Sequence, residues 1–322
     1  MKIFVAGASG AVGRRLLPML ARRGHGVVAT TRSAEGVTQL RTLGAEPVVV
    51  DAFDRTAVVR AIESARPEVV VHQLTALSHA KSLKHFDREF AATNRLRTEG
   101  TDNLLAGALA AGVQRFIAQS FTGWTNPREG SRVKDEDDPL DPHPPHTMQH
   151  TLDAIRYLER VVREARGVHA IVLRYGYLYG PGTSFAPGGD ILEAVRSRRF
   201  PVVGSGAGVW SFVHVDDIAM ATVIAAESAP SGLYNVVDDE PAEAGTWLPE
   251  LARVVGAKPP RHVPVWLARL MIGDAGVAMM TQSRGSSNVK IKRAFAWQPL
   301  YRTWRDGFRR GLSGDAQASA AA

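Results

Sequence analysis

Met1-Lys2-Ile3-Phe4-Val5-Ala6-Gly7-Ala8-Ser9-Gly10-Ala11-Val12-Gly13 opens the chain. A short apolar run enters a turn with glycine at every third position, and a helix-like segment, residues 14–23, follows. Each glycine has its own physical use there. Gly7 permits the tight strand-to-helix turn, Gly10 lets the backbone approach a ligand, and Gly13 lets the helix pack on the strand. The helix start, where Ser9, Ala11 and Val12 complete the turn, offers free N–H groups and a partial positive charge. That is the geometry for holding the pyrophosphate of a dinucleotide. The spacing is G-x-x-G-x-x-G rather than the commoner G-x-G-x-x-G.

The alternation begun there continues. Strand-like segments at 26–31, 47–50, 69–72, 115–119 and 169–174 are separated by helical ones near 37–43, 57–65, 89–111 and 154–165. Strands alternating with helices predict an α/β fold with a doubly wound parallel sheet, ligands sitting at the carboxyl ends of its strands. Near residue 180 the texture changes. Gly180-Pro181-Gly182 and Pro187-Gly188-Gly189 are loop signals, and residues 248–255 and 265–270 read as later helices of a smaller carboxyl-terminal lobe. Residues 314–322 read as a flexible tail.

Bulk properties narrow the function. The 322 residues are 45% hydrophobic and 22% charged, as in a globular protein. No apolar run reaches the roughly 18–20 residues that span a bilayer. With no visible secretory signal, a cytoplasmic location and no membrane partner are expected. Zero cysteines exclude disulfides, thiolate metal sites and a cysteine nucleophile. The net charge of +7 raises nucleic acid as a partner, but the basic residues are scattered as short pairs, so none is expected.

The order of later motifs resembles the extended and atypical extended short-chain dehydrogenase/reductases, a group of NAD-dependent epimerases, dehydratases and reductases. The likeness covers nearly the whole chain. Beyond the glycine turn it rests on Val50-Asp51-Ala52, on Val71-His72-Gln73-Leu74-Thr75-Ala76, on Asn94 with Gly100-Thr101-Asp102-Asn103, and on Arg115 to Ser120. Leu173-Arg174-Tyr175-Gly176-Tyr177-Leu178-Tyr179-Gly180-Pro181-Gly182, Phe212-Val213-His214-Val215-Asp216-Asp217, Tyr234-Asn235-Val236-Val237 and Ala296-Trp297-Gln298-Pro299 complete it. The resemblance implies a Rossmann-type nucleotide domain over 1–179 and 212–237, with a substrate-binding lobe over 180–211 and 238–313. It places Asp51 and Ala52 against adenine, and runs Leu74, Thr75 and Ala76 beside the cofactor, with Tyr175 at the neighbouring strand end.

The nucleotide can be read further. The second strand ends Ala29-Thr30-Thr31-Arg32-Ser33, with no carboxylate for a ribose 2′-hydroxyl. Arg32 could meet a 2′-phosphate, and Thr31 or Ser33 could add donors. NADP(H) is therefore the preferred cofactor, with NAD(H) as the alternative.

The family's chemistry uses Tyr-x-x-x-Lys on one helix, the lysine lowering the tyrosine pKa. No such pair occurs in the required region. Two registers are open: Thr151 and Ile155, or His146 and His150. An imidazole exchanges protons near neutral pH, so His150 is the first candidate donor and His146 the second. Ser120 sits where the family keeps a serine. Thr122, displaced by one position from the usual reactive hydroxyl, could orient substrate. Tyr177 and Tyr175 could supply a phenol from another direction or pack over the nicotinamide. No metal is expected. Trp124, Phe185, Trp210, Met279 and Met280 suggest an apolar or aromatic small-molecule substrate, and Arg284 and Lys290 lie near the family's phosphate-holding positions. The expected function is NADP(H)-dependent oxidation or reduction of a small organic alcohol or carbonyl. An epimerase, dehydratase or isomerase with retained cofactor, and a redox-silent NADP(H)-binding sensor or scaffold, are the alternatives. The oligomeric state is left open, a dimer included.

Overall fold

The computed structural model describes residues 1–77 and 82–313. The expected tail therefore lies outside the described residues. Seven strands form one sheet: β1 (Lys2–Ala6), β2 (Gly26–Thr31), β3 (Glu46–Val49), β4 (Val69–His72), β5 (Arg115–Phe121), β6 (His169–Tyr175) and β7 (Gly232–Val236). Their order is β7-β6-β5-β4-β1-β2-β3, and each pairing is parallel. The major helices around it are α1 (Ala11–Arg22), α2 (Ala34–Thr42), α3 (Arg55–Ala65), α4 (Thr101–Ala110), α5 (Gln149–Glu164) and α6 (Val215–Glu227).

A parallel sheet is stable only when both faces are covered. The period-two alternation of apolar side chains supplies both coverings. Ile3, Val5, Val27, Val71 and Ile117 pack with Leu16 and Leu20 of α1 and Ile218 of α6. Phe4, Val28, Val70 and Phe116 point the other way, onto Ile62 of α3, Leu104 of α4 and Leu158 of α5. β1 lies between β2 and β4, so the strand order reverses beside it and the first turn opens into the crevice at that switch point.

A third cluster contains Trp210, Trp247, Trp304 and Phe308, joined by α7 (Ala244–Val254) and α8 (Val265–Thr281). Phe86, Trp124, Leu152 and Ile155, from the first half of the chain, belong to the same cluster. The change of texture at residue 180 is therefore a boundary along the chain and not a seam in the packing.

The long helix expected over 89–111 is instead a broken series: Phe86–Glu89, Ala91–Arg95, a π turn at Leu96–Gly100, then α4. The Thr98 and Thr101 hydroxyls bond back to the carbonyls of Asn94 and Arg97, at 3.1 and 2.7 Å, and such back-bonding competes with the regular ladder.

The seat of α1 on β1 depends on a missing side chain. A Cβ on Gly13 would lie 2.2 Å from the Ala8 carbonyl oxygen, whereas at Gly10 the nearest atom would be 3.5 Å away. Gly13→Ala should therefore cost roughly 2–3 kcal/mol of stability, read from the urea midpoint, and Gly10→Ala at most about 1 kcal/mol. Equal losses in the two variants would contradict this packing.

Candidate cofactor and active site

The first turn is shaped by backbone-to-backbone approach. Gly7 has φ of 89°, and a Cβ there would lie 2.4 Å from the Gln73 carbonyl group at the end of β4. Packing thus requires Gly7 and Gly13 but leaves the space over Gly10 open. α1 begins with no side-chain cap and no acid in its first turn. The N–H groups of Ala11 and Val12 at that start are suited to an anion. The Ser9 carbonyl accepts from Arg14 Nε at 2.8 Å, and a Cβ on Gly182 of the following lobe segment would lie 3.5 Å from the Ala11 Cβ. Arg15 pairs with Asp216 and ties α1 to α6. These residues fit a dinucleotide.

At the end of β2, Arg32 is exposed and has no side-chain partner among the described residues. The neighbouring hydroxyls are engaged locally. Ser33 Oγ caps α2 by accepting from Gly36 N–H at 3.2 Å, and Thr31 Oγ1 accepts from Ser33 N–H at 3.3 Å. Thr31 is also buried, so of the three candidates Arg32 alone presents a free group. Asp51 is exposed and makes a turn by accepting from Phe53 N–H at 3.0 Å. The Ala52 carbonyl accepts from Asn103 Nδ2 at 2.9 Å.

The end of β4 is held by a buried polar chain. Leu74 N–H donates to His72 Nδ1 at 3.2 Å, which leaves the ring proton on Nε2, 3.0 Å from the Thr101 hydroxyl. Ala76 N–H donates to Thr93 Oγ1 at 3.0 Å, while Leu74, Thr75 and Ala76 stay half-buried. Tyr175 is not at an open edge. It is fully buried in the core, its hydroxyl accepting from Gln73 Nε2 at 2.6 Å and lying 3.1 Å from Thr222. Burial pushes its pKa up to about 12. The expected contact between Tyr175 and a cofactor is replaced by this core role.

The candidate catalytic residues are dispersed. Ser120 is buried and donates to Glu159 Oε1 at 2.6 Å; Glu159 also receives the Arg174 fork at 2.7 and 2.7 Å. Thr122 is fully buried, 2.7 Å from Ser286 Oγ and 3.3 Å from Asn126 Oδ1. Both hydroxyls are thus engaged inside the protein. His146 and His150 are exposed at the start of α5, and the inward positions there are Thr151 and Ile155. The Thr151 hydroxyl donates to Asp87 Oδ1 at 2.6 Å and accepts from Asn94 Nδ2 at 3.0 Å. Asp87 also accepts the N–H groups of His150 and Thr151, capping α5. Sequence reading missed Asp87, Asn126 and Ser286, whose partners lie tens to hundreds of residues away.

An aromatic wall follows the ends of β5 and β6. Phe86 stacks on Phe90 with centroids 4.2 Å apart, and Trp124 meets Phe86 at 5.2 Å and Phe121 at 5.9 Å. Phe121 meets Tyr177 edge-on at 5.3 Å, and Tyr177 stacks on Trp210 at 3.8 Å. Burial pushes the Tyr177 phenol well up. Phe185, expected beside the cleft, is a core residue against Phe212 and Trp247. Lys290 sits over the Tyr234 ring, 5.6 Å from its centroid, and Arg284 is half-buried.

Residues 3–236 match the NAD dependent epimerase/dehydratase family, and the chain belongs to it. The chain is 44% identical over 312 residues to a 3-diazoavenalumate denitrifying reductase of a Streptomyces species, covering 96% of this chain and 100% of the relative. It is 30% identical over 266 residues to a 4-hydroxy-2-methyl-3-oxo-4-farnesyl-3,4-dihydroquinoline-1-oxide ketoreductase of Stigmatella aurantiaca, covering 80% and 74% of the two chains. Among solved structures, a UDP-glucose 4-epimerase of Thermotoga maritima with UDP-glucose superposes with a TM-score of 0.76 at 23% identity, covering 100% of both chains. The UDP-glucose 4-epimerase of Thermus thermophilus, in complex with NAD, gives 0.72 at 24% identity, covering 99% of this chain and 100% of the other. At those identities the two structures establish the shared Rossmann-like fold.

Burial pushes the His72 pKa down to about 4, and the Arg97 guanidinium adds to the effect. The unfolded ring titrates near 6.5, so below that pH the unfolded chain binds more protons. The His72 contribution is intact above pH 6.5 and falls as pH drops toward 4. Between pH 7 and 5 its share of the loss is about 2 kcal/mol. Urea unfolding should show His72→Gln losing that much less than wild type over this interval; identical pH dependence would contradict a buried neutral imidazole.

Proposed function

We propose that this chain is an NADP(H)-dependent reductase of a small aromatic or apolar molecule. The observation that carries the reading is the space over Gly10, which no packing contact requires, set against a helix start with no side-chain cap. Gly10, Ala11 and Val12 would hold the pyrophosphate, Asp51 and Ala52 would border the adenine, and Arg32 would meet a 2′-phosphate. A bound dinucleotide would supply the hydride. The wall from Phe90 through Phe121 to Tyr177 would stack an aromatic substrate and exclude water.

The polar groups direct the choice of reaction. Reduction of a carbonyl needs a proton on the oxygen. Ser120, Thr122 and Thr151 are engaged elsewhere, so that proton would come from water or from the exposed His150. A second reading removes the need. The relative sharing 44% identity is a denitrifying reductase of a diazo compound. In an arenediazonium substrate the C–N electron pair leaves with dinitrogen and hydride brings the pair for the new C–H bond. The ring carbon is reduced by two electrons, the nucleotide is oxidised, and no proton enters. Among the described residues no acid is positioned for that step, which favours this reading.

NADPH should bind at least about tenfold more tightly than NADH, a difference of ~1.4 kcal/mol, and Arg32→Ala should remove most of it. Calorimetry with both nucleotides checks this; equal dissociation constants would refute the NADP(H) preference. Gly10→Val, folded by its urea midpoint, should bind neither.

NADPH deuterated at the transferred position separates the substrate classes. With an arenediazonium salt, deuterium should appear at the vacated ring carbon with one dinitrogen released per NADPH consumed. Deuterium only on the carbinol carbon of an aromatic ketone would assign carbonyl reduction, with loss of rate in His150→Ala if that imidazole donates. Nucleotide binding with turnover of neither would favour the redox-silent alternative.

A further inference from the structure

The start of α8 carries apolar side chains that the fold does not cover. Trp266, Leu270 and Met271 are 66%, 65% and 56% exposed, and Val265 and Pro264 beside them are exposed as well. Elsewhere in the fold tryptophan is buried: Trp247, Trp297 and Trp304 are at 1% or less. Trp266 and Leu270 stand one helical turn apart, so they share a face. The described remainder of α8, from Ala275 to Met280, is buried, so the exposure is confined to the first half, before the break at Gly273.

Cations frame this patch. Lys84 Nζ donates to the Leu270 carbonyl at 3.4 Å. Lys258 and Arg261 are exposed on the segment leading into α8 and have no ion-pair partner among the described residues. Arg198 Nε donates to the Pro259 carbonyl at 2.9 Å and brings another guanidinium to that segment. Asp274 is the nearby acid, and it is paired with Arg269 at 2.8 Å.

We infer that this face docks on an anionic lipid surface. An apolar centre with tryptophan and unpaired cations at its margin is the complement of a layer with an acyl interior and negative headgroups. A second copy of the chain is the poorer complement. A two-fold contact would bring two copies of the same cation-rimmed patch together, adding Lys84, Lys258 and Arg261 from both sides, while the nearby acid Asp274 is already paired with Arg269. No described helix is long and apolar enough to cross a membrane, so the contact is peripheral, at the surface.

Co-sedimentation of the full chain with vesicles tests this. Wild type should pellet with phosphatidylglycerol/phosphatidylcholine vesicles and not with phosphatidylcholine alone. The double variant Trp266→Ser/Leu270→Ser should lose about tenfold in partition, and Lys258→Glu/Arg261→Glu a comparable amount at low salt. Leu300→Ser, at an exposed leucine away from the patch, should change nothing. Urea midpoints confirm that each variant is folded. Wild type left in the supernatant, or binding unchanged in both double variants, would overturn the inference. So would a patch-dependent oligomer in light scattering, which assigns the face to a second copy. Patch-dependent retention on polyglutamate without vesicle binding would overturn it in favour of an acidic protein.

Discussion

Everything else in this fold is arranged around one contact of backbone on backbone, where the turn after β1 meets the end of β4. Gly7 lies so close to the Gln73 carbonyl that any side chain there would overlap it. Further along the turn, Gly13 lies equally close to the Ala8 carbonyl. Such contacts set the distance between strand and helix with no adjustable side chain between them. They fix the start of α1 at the crevice where the strand order reverses. Gly10 stands between the two, has the same missing side chain, and has no protein atom that requires it. In the proposed function a ligand's phosphate would be the partner that explains it.

The second constraint is electrostatic. Glu159 of α5 receives both arms of Arg174 from β6 and the hydroxyl of Ser120 from β5, all at 2.6–2.7 Å and all buried. A buried pair of this kind adds little net stability over apolar side chains of the same volume, but removal of one partner strands the other and is costly. It therefore fixes where α5 lies against the strand ends. Asp87 does the same at the helix start, by accepting two backbone N–H groups and the Thr151 hydroxyl. Together they turn Thr151 and Ile155 inward and leave His146 and His150 in solvent.

The contrast explains what could be read in advance. The sheet was legible because the short apolar runs Ile3 to Val5 and Val69 to Val71, alternating with helical segments, are a local property, and the glycine turn because three residues carry its whole geometry. The register of α5 was not. It is decided by Asp87, 63 residues before His150, and by Glu159 with Arg174, which no local pattern connects. Thr122 looked available for the same reason: its partner Ser286 lies 164 residues away. Phe185 was placed at the cleft because its segment borders the substrate cleft of the family it resembles, and it went to the core because Phe212 and Trp247 offered it contacts there.

What remains at the strand ends is aromatic rather than acidic, and its protonation runs the wrong way for a proton relay. A phenol serves as a relay when a neighbouring cation lowers its pKa toward neutrality. Burial has the opposite effect here, raising Tyr175 to about 12 and Tyr177 further, with no ammonium group among the described residues to offset it. Tyr177 spends its ring in stacking on Trp210, where a neutral phenol is an asset. Under the proposed function, such a wall would orient a flat electrophile and keep water from it. It is poorly equipped to protonate an alkoxide at neutral pH. Under the proposed function, the chemistry that would suit such a site is one in which hydride addition and departure of a neutral leaving group complete the reaction, so that no positioned phenol would be required.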